Sequence, residues 1–159
     1  MRKIFMFEQV YPKIKQYCRY RERCHFEVKQ KLFAMGLPLK EVEILLCRLI
    51  EEDILNEERY AIQFAGGRFR LNKWGKVKIV YELRQKKISE NIIKRALKEI
   101  EEPDYEASLQ KLALTKWESL KAEHYIARQA KTIAYLHQKG YEGGIIQQVI
   151  TRIRAKATE

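Results

Sequence analysis

Three stretches of this chain repeat one pattern at a spacing of about fifty residues, and that repetition restricts the fold more than any other feature. Val28–Leu37, Ile79–Ile88 and Thr132–Tyr141 align without a gap, so Leu32, Leu83 and Leu136 correspond, as do Leu37, Ile88 and Tyr141. Each stretch is followed by a second apolar series: Val42, Leu45, Leu46 and Leu49; then Ile93, Ala96, Leu97 and Ile100; then Ile146, Val149, Ile150 and Ile153. Spacings of three, four and seven place each series on one face of an α-helix. Each unit therefore reads as helix, tight turn, helix. A pair of helices cannot cover both of its own apolar faces, so neighbouring elements must complete the burial, and Leu32, Leu83 and Leu136 are expected in the core.

The turns carry their own chemistry. Gly36 and Gly140 stand where a helix should end in the left-handed backbone conformation. Lys87 takes that place in the second copy, where a less regular turn is expected. Pro38 suits a first helical turn, and Asn56 and Ser89 suit N-caps. A further helix precedes each pair: about Tyr11 to Tyr20, Glu57 to about Leu71 with Glu57 and Glu58 at its positive end, and about Asp104 to Ser119 after Pro103. The short polar links Asp53–Asn56 and Glu101–Asp104 divide the chain into three-helix repeats at 1–54, 55–102 and 103–159. The expected fold is all-α: three tandem three-helix repeats forming an elongated, curved helical array.

Composition supports helix over strand. Only 7 Gly and 3 Pro occur in 159 residues, too few for the turns of a sandwich or barrel. The net charge of +11 favours polyanionic partners: nucleic acid, an acidic protein surface or anionic lipid. No apolar run reaches the length of a membrane span, and the start, Met1 to Glu8, is too short in its apolar part for a secretion leader. A cytoplasmic monomer without a membrane partner is expected. The odd number of cysteines (Cys18, Cys24, Cys47) excludes a disulfide framework in a reducing compartment.

No catalytic motif is visible. His25, His124 and His137 are the only histidines, no Ser or Cys sits in a nucleophile motif, and no Gly-rich loop precedes a Lys-Ser or Lys-Thr pair. Gly66-Gly67 and Gly143-Gly144 are isolated pairs. Cys18, Cys24 and His25 lie close together, but without the paired spacing of a zinc site; Cys47 lies in an apolar helix and is expected in the core. Neither enzyme nor cofactor nor metal is expected.

The basic residues are the informative feature. Between Gly66 and Lys87 come Arg68, Arg70, Lys73, Lys76, Lys78, Arg84, Lys86 and Lys87, opposed only by Glu82 and interleaved with Phe69, Trp74 and Tyr81. A second cluster holds Lys13, Lys15, Arg19, Arg21 and Arg23 around Tyr17 and Tyr20, and Arg152, Arg154 and Lys156 stand near the C-terminus. A solvated helix face accounts for an i,i+4 pair such as Lys78 and Glu82. It accounts poorly for a stretch in which one sign dominates. The partner- or nucleic-acid-facing candidates are Arg19, Arg21, Arg23, Arg68, Arg70, Lys73, Trp74, Lys76, Lys78, Arg84, Lys86 and Lys87. Trp74 and Phe69 are candidates for stacking on bases, with core packing as the competing assignment.

Specific motifs sharpen this. Leu55-Asn56-Glu57-Glu58-Arg59-Tyr60-Ala61 resembles the Leu-Asp-Asp-x-Arg-Phe/Tyr-Ala signature of the RecX family. Trp74-Gly75-Lys76-Val77-Lys78-Ile79 with Glu82-Leu83-Arg84-Gln85-Lys86-Lys87-Ile88 is similar to that family's Gly-x-x-x-Ile-x-x-Glu-Leu-x-x-Lys-Gly-Ile segment. Arg21, Arg23, Cys24, Glu27, Val28, Lys31, Leu32 and Gly36 fit its first-repeat pattern. The likeness covers about Tyr17 to Leu97 well and the third repeat more loosely. Asn56-Glu57 replaces an acidic pair, Lys76 stands where Pro is common, Cys24 where Ser is common and Lys87 where Gly is common, which bears on turn geometry more than on function. The resemblance implies tandem three-helix repeats and a modulator of the RecA recombinase. Such a protein binds RecA or its filament on single-stranded DNA, within the filament groove, and inhibits ATP hydrolysis and strand exchange or promotes disassembly. A curved basic rod suits that role. The alternative is a basic DNA-binding module that uses a helix pair as a helix-turn-helix reader, with no part in RecA control.

Overall fold

The computed structural model describes residues 2–157, with side chains from residue 7 onward. The first side chains of the stretch considered as a leader thus lie outside the described residues. Among the described residues there are nine α-helices and no strand. In order these are α1 (Arg2–Tyr20), α2 (His25–Ala34), α3 (Leu39–Glu51), α4 (Glu57–Asn72), α5 (Lys76–Gln85), α6 (Glu90–Lys98), α7 (Glu102–Ser119), α8 (Tyr125–Lys139) and α9 (Gly143–Ala157).

Two boundaries differ from expectation. α1 begins well before Tyr11 and runs through Pro12. Val10, Tyr11, Ile14 and Cys18 form one buried face across the proline, and the burial of that face offsets the one backbone donor that Pro12 lacks. α7 begins at Glu102, so Pro103 lies inside its first turn, where a missing N–H costs nothing. The Asn56 and Ser89 caps form: their side-chain oxygens accept from the Arg59 amide at 2.9 Å and the Ile92 amide at 3.4 Å.

The three inner turns are built alike. The amides of Leu37, Ile88 and Tyr141 donate to the carbonyls of Leu32, Leu83 and Leu136 at 3.3, 3.2 and 3.2 Å. Those of Gly36, Lys87 and Gly140 donate to Phe33, Arg84 and His137 at 2.9, 3.0 and 3.0 Å. All three residues at the turn are left-handed, with φ of +89°, +61° and +96°. The second turn is therefore as regular as the others, contrary to the irregularity expected of Lys87. The lysine accepts a backbone strain of about 1 kcal/mol because the turn satisfies the helix-end carbonyls and buries Ile88. Lys87→Gly should relieve that strain and stabilise the chain by about 1 kcal/mol, read as a higher urea midpoint at unchanged slope. An equal or lower midpoint would contradict it.

Close contacts group the chain into two compact units: residues up to Phe64 together with Leu83–Ala96, and Ala65–Glu82 together with the chain from Leu97 onward. In the first unit α1, α2 and α3 pack on one another around Ile14, Val28, Leu32, Val42, Leu45, Leu49 and Leu55. In the second, α7, α8 and α9 pack on one another, with Tyr105, Leu109, Leu136, Tyr141 and Ile146 buried. Leu32, Leu83 and Leu136 are each fully buried, as the repeat predicts. Cys47, expected in the core, is exposed. It stands two positions from both Leu45 and Leu49, about 200° round the helix from each, on the side of α3 away from the buried face.

Candidate functional site

The basic stretch begins at the C-terminal end of α4, and the structure holds the loop after that helix firmly. The amides of Lys73 and Trp74 close α4 onto the carbonyls of Phe69 and Arg68 at 3.0 and 3.2 Å, with Lys73 left-handed at φ +60°. The Gly75 amide donates to the Lys139 carbonyl at 2.8 Å and the Val77 amide to the Gly140 carbonyl at 2.9 Å. This approach requires two glycines. A Cβ on Gly75 would lie 2.3 Å from the Gly140 carbonyl carbon, and one on Gly140 would lie 2.3 Å from Lys78 Cβ. The Tyr105 hydroxyl accepts from the Lys76 amide at 2.9 Å and donates to Glu142, while the Tyr141 hydroxyl donates to the Lys73 carbonyl at 3.1 Å. Phe69, Tyr105 and Tyr141 pack as tilted rings, with centroids 5.9 and 5.1 Å apart.

This scaffold sorts the cations of the second unit. Arg70 and Lys73 are exposed and make no ion pair with another described residue. The Arg70 guanidinium folds back along α4 over Gly66, where an added Cβ would meet Nη1 at 2.7 Å. Arg68 is exposed and lies 5.2 Å from the centre of the Trp74 ring, and Lys78 lies 4.6 Å from the same ring. Lys76 is drawn aside: its Nζ is 2.5 Å from Glu102 and 4.5 Å from the Tyr105 ring centre. Phe69 is buried against Tyr105, so it offers no face to a base. The exposed aromatic of the stretch is instead Tyr81, 60% exposed.

The first unit treats its candidates differently. Arg23 is buried, with its guanidinium 3.8 Å from the Tyr17 ring centre, its Nε donating to the Tyr17 carbonyl at 3.2 Å and its Nη1 3.7 Å from Glu27. The partner-facing assignment of Arg23 is therefore corrected: its charge is matched within the fold, as buried cations require. Glu27 also approaches Arg21 at 3.6 Å and Lys86 at 3.9 Å, and it accepts from the Tyr60 hydroxyl at 3.0 Å. Arg84 makes a two-point contact with Glu90 at 2.7 and 3.1 Å, which holds the Glu90 carboxyl below its ordinary range. Arg19 and Lys87 are exposed, without an ion pair to another described residue.

A cleft of about 580 Å³ opens beside Arg70 and Lys73. Phe69, Leu112 and Tyr135 line it, and Lys111 and Lys116 of α7 join Arg70 of α4 and Lys73 just after that helix. Sequence reasoning missed these α7 residues. The signal was present in Ser108, Leu112, Thr115 and Ser119, whose spacing marks one stripe of a helix, but only the packing of α4, α7 and α8 makes that stripe a cleft wall.

The cysteines form no metal centre among the described residues. Burial pushes the Cys18 and Cys24 thiols from 9.0 up to about 11. At neutral pH a thiol-reactive dye should therefore label Cys47 promptly and the other two only on unfolding. The buried neutral thiols contribute stability that is full below about pH 9 and is lost as pH rises through about 11. Prompt labelling of three thiols in the folded protein would contradict their burial. No helix among the described residues is long and apolar enough to cross a membrane.

Comparison with known proteins agrees with this architecture. The family description "RecX, second three-helix domain" matches residues 56–97, and "RecX, third three-helix domain" matches residues 104–150. Regulatory protein RecX of Chlorobium phaeobacteroides (strain BS1) is 31% identical over 135 residues, covering 84% of this chain and 85% of that protein. The corresponding protein of Prosthecochloris aestuarii is 31% identical over 139 residues, covering 86% and 88%. The crystal structure of RecX from Lactobacillus salivarius superposes with a TM-score of 0.86 at 22% identity, over 96% of this chain and 99% of that one, a likeness of fold.

Proposed function

The chain belongs to the RecX family of regulatory proteins, and on that premise we propose that it binds the RecA recombinase, or the RecA filament on single-stranded DNA, in the cytoplasm. By occupying the filament groove it restrains ATP hydrolysis and strand exchange. It acts by occupancy, without covalent chemistry, cofactor or metal.

The observation that carries this reading is the cationic end of α4: Arg70 and Lys73 are exposed and make no ion pair with another described residue, whereas Lys76 meets Glu102. Fixed positive charge of this kind attracts an acidic protein surface and phosphates alike, speeds encounter and makes affinity fall with salt. Trp74 lies between Arg68 and Lys78, 5.2 and 4.6 Å from its ring centre. Arg19, Arg21, Arg84, Lys86 and Lys87 belong to a separate set on the first unit, of which Arg19 and Lys87 are the members without an internal ion pair among the described residues.

A pull-down of RecA by immobilised protein, with and without single-stranded DNA, tests the reading. Retention of RecA, stronger with DNA, is expected. Reversal of Arg68, Arg70 and Lys73 to Glu should lower the retained fraction about tenfold or more. Retention of DNA alone, with no RecA under either condition, would favour the alternative of a plain helix-turn-helix DNA-binding module.

A further inference from the structure

The cleft beside α4 has a composition that neither a duplex phosphate track nor a plain basic face would need. Its more buried lining is apolar, with Phe69, Leu112 and Tyr135. Its rim is cationic: Arg70, Lys73, Lys111 and Lys116, against the single carboxylate of Asp104. A duplex phosphate track asks for cations without an apolar floor, and a single-strand groove asks for open aromatic faces on which bases stack, whereas here Phe69 is buried and Tyr135 has Lys116 and Lys139 at its ring. An apolar floor ringed by one sign of charge matches the opposite arrangement on a partner: a large apolar side chain surrounded by carboxylates.

The cleft is a firm feature of the second unit. Phe69 is held by its tilted ring contact with Tyr105, and Lys73 by the bond from Tyr141 to its carbonyl. Tyr135 is held between the ammonium groups of Lys116 and Lys139, 5.0 and 6.0 Å from its ring centre. Its volume is about 580 Å³, room for one or two large apolar side chains.

We propose that the cleft formed by the end of α4 with α7 and α8 is a docking site for an acidic amphipathic segment of a partner protein, whose apolar side chains enter over Leu112 and Tyr135 while its carboxylates meet Arg70, Lys73, Lys111 and Lys116. The inference rests on the RecA-directed reading only for which protein supplies the segment; the recognition chemistry stands without it.

The test uses the full chain and a short fluorescein-labelled peptide that carries Leu and Phe at helical spacing among Asp and Glu, followed by anisotropy. Saturable binding is expected, weakened about tenfold or more by Lys111→Glu with Lys116→Glu, by Leu112→Asp, and by replacing the peptide's acids with Asn and Gln. Lys94→Glu with Lys98→Glu, the same change in net charge on exposed α6 positions, should leave affinity within about twofold. Should Leu112→Asp fail to fold, the α7 charge reversal, judged against the α6 reversal, decides the matter. The proposal is overturned if the uncharged peptide binds equally well, if the two reversals act alike, or if only an oligothymidylate probe is sensitive to the α7 variants. Because RecA is absent from this experiment, failure here leaves the RecA reading standing. A RecA effect that fails while the peptide binds overturns the RecA reading alone.

Discussion

Gly140→Ala is expected to lower the unfolding free energy by on the order of 4 kcal/mol or more, the largest single effect predicted for this chain. Two costs add. At φ +96° an L side chain is strained by roughly 1–2 kcal/mol. The added methyl would also stand 2.3 Å from Lys78 Cβ and 2.7 Å from the Lys78 amide nitrogen, and backbone cannot yield as a flexible side chain can. Relief requires α5 to withdraw, which lengthens the bonds from Gly75 to Lys139 and from Val77 to Gly140. Gly36 provides the internal control. It is left-handed at φ +89° in the equivalent turn, yet an added Cβ there meets nothing within 4 Å, so Gly36→Ala should carry only the first cost. Urea unfolding of the two variants separates strain from contact. Equal losses would mean that the glycine-to-glycine approach contributes nothing.

Leu83→Ala is the second large loss, expected at about 2–5 kcal/mol. Leu83 is fully buried, and its carbonyl accepts from the Ile88 amide at the strained Lys87 turn. Truncation removes transfer energy and leaves a cavity at a place where the following turn depends on the helix end keeping its position. The loss should exceed the gain predicted for Lys87→Gly, so the double variant remains less stable than the natural chain. A thermal melt of Leu83→Ala that overlays the unaltered protein would remove Leu83 from the core.

The all-helical fold and its repeating turns were legible because each rests on local information. Apolar spacing set the buried faces, and Gly36, Gly140, Asn56 and Ser89 marked the ends. What was misjudged depended on balances that local chemistry does not set. The buried face spanning Pro12 outweighed a helix-breaking residue, and tertiary packing held Lys87 in a conformation its side chain disfavours. The proposed binding surface was legible only as an excess of charge. Which cations remained available turned on partners far away in sequence for Lys76, which meets Glu102, and for Lys86, which meets Glu27, and on the local packing of Arg23 against the Tyr17 ring and Glu27. The cleft was invisible because its other lining side chains come from α7 and from Tyr135 of α8, none of which the charge pattern marks.

The most direct trial of the central claim is the single-stranded-DNA-dependent ATPase of RecA, measured with this protein at substoichiometric amounts. A fall in rate is predicted, largely lost in the variant with Arg68, Arg70 and Lys73 reversed to Glu and eased by added salt. A rate unchanged by the natural chain at low salt would contradict regulation of RecA by occupancy.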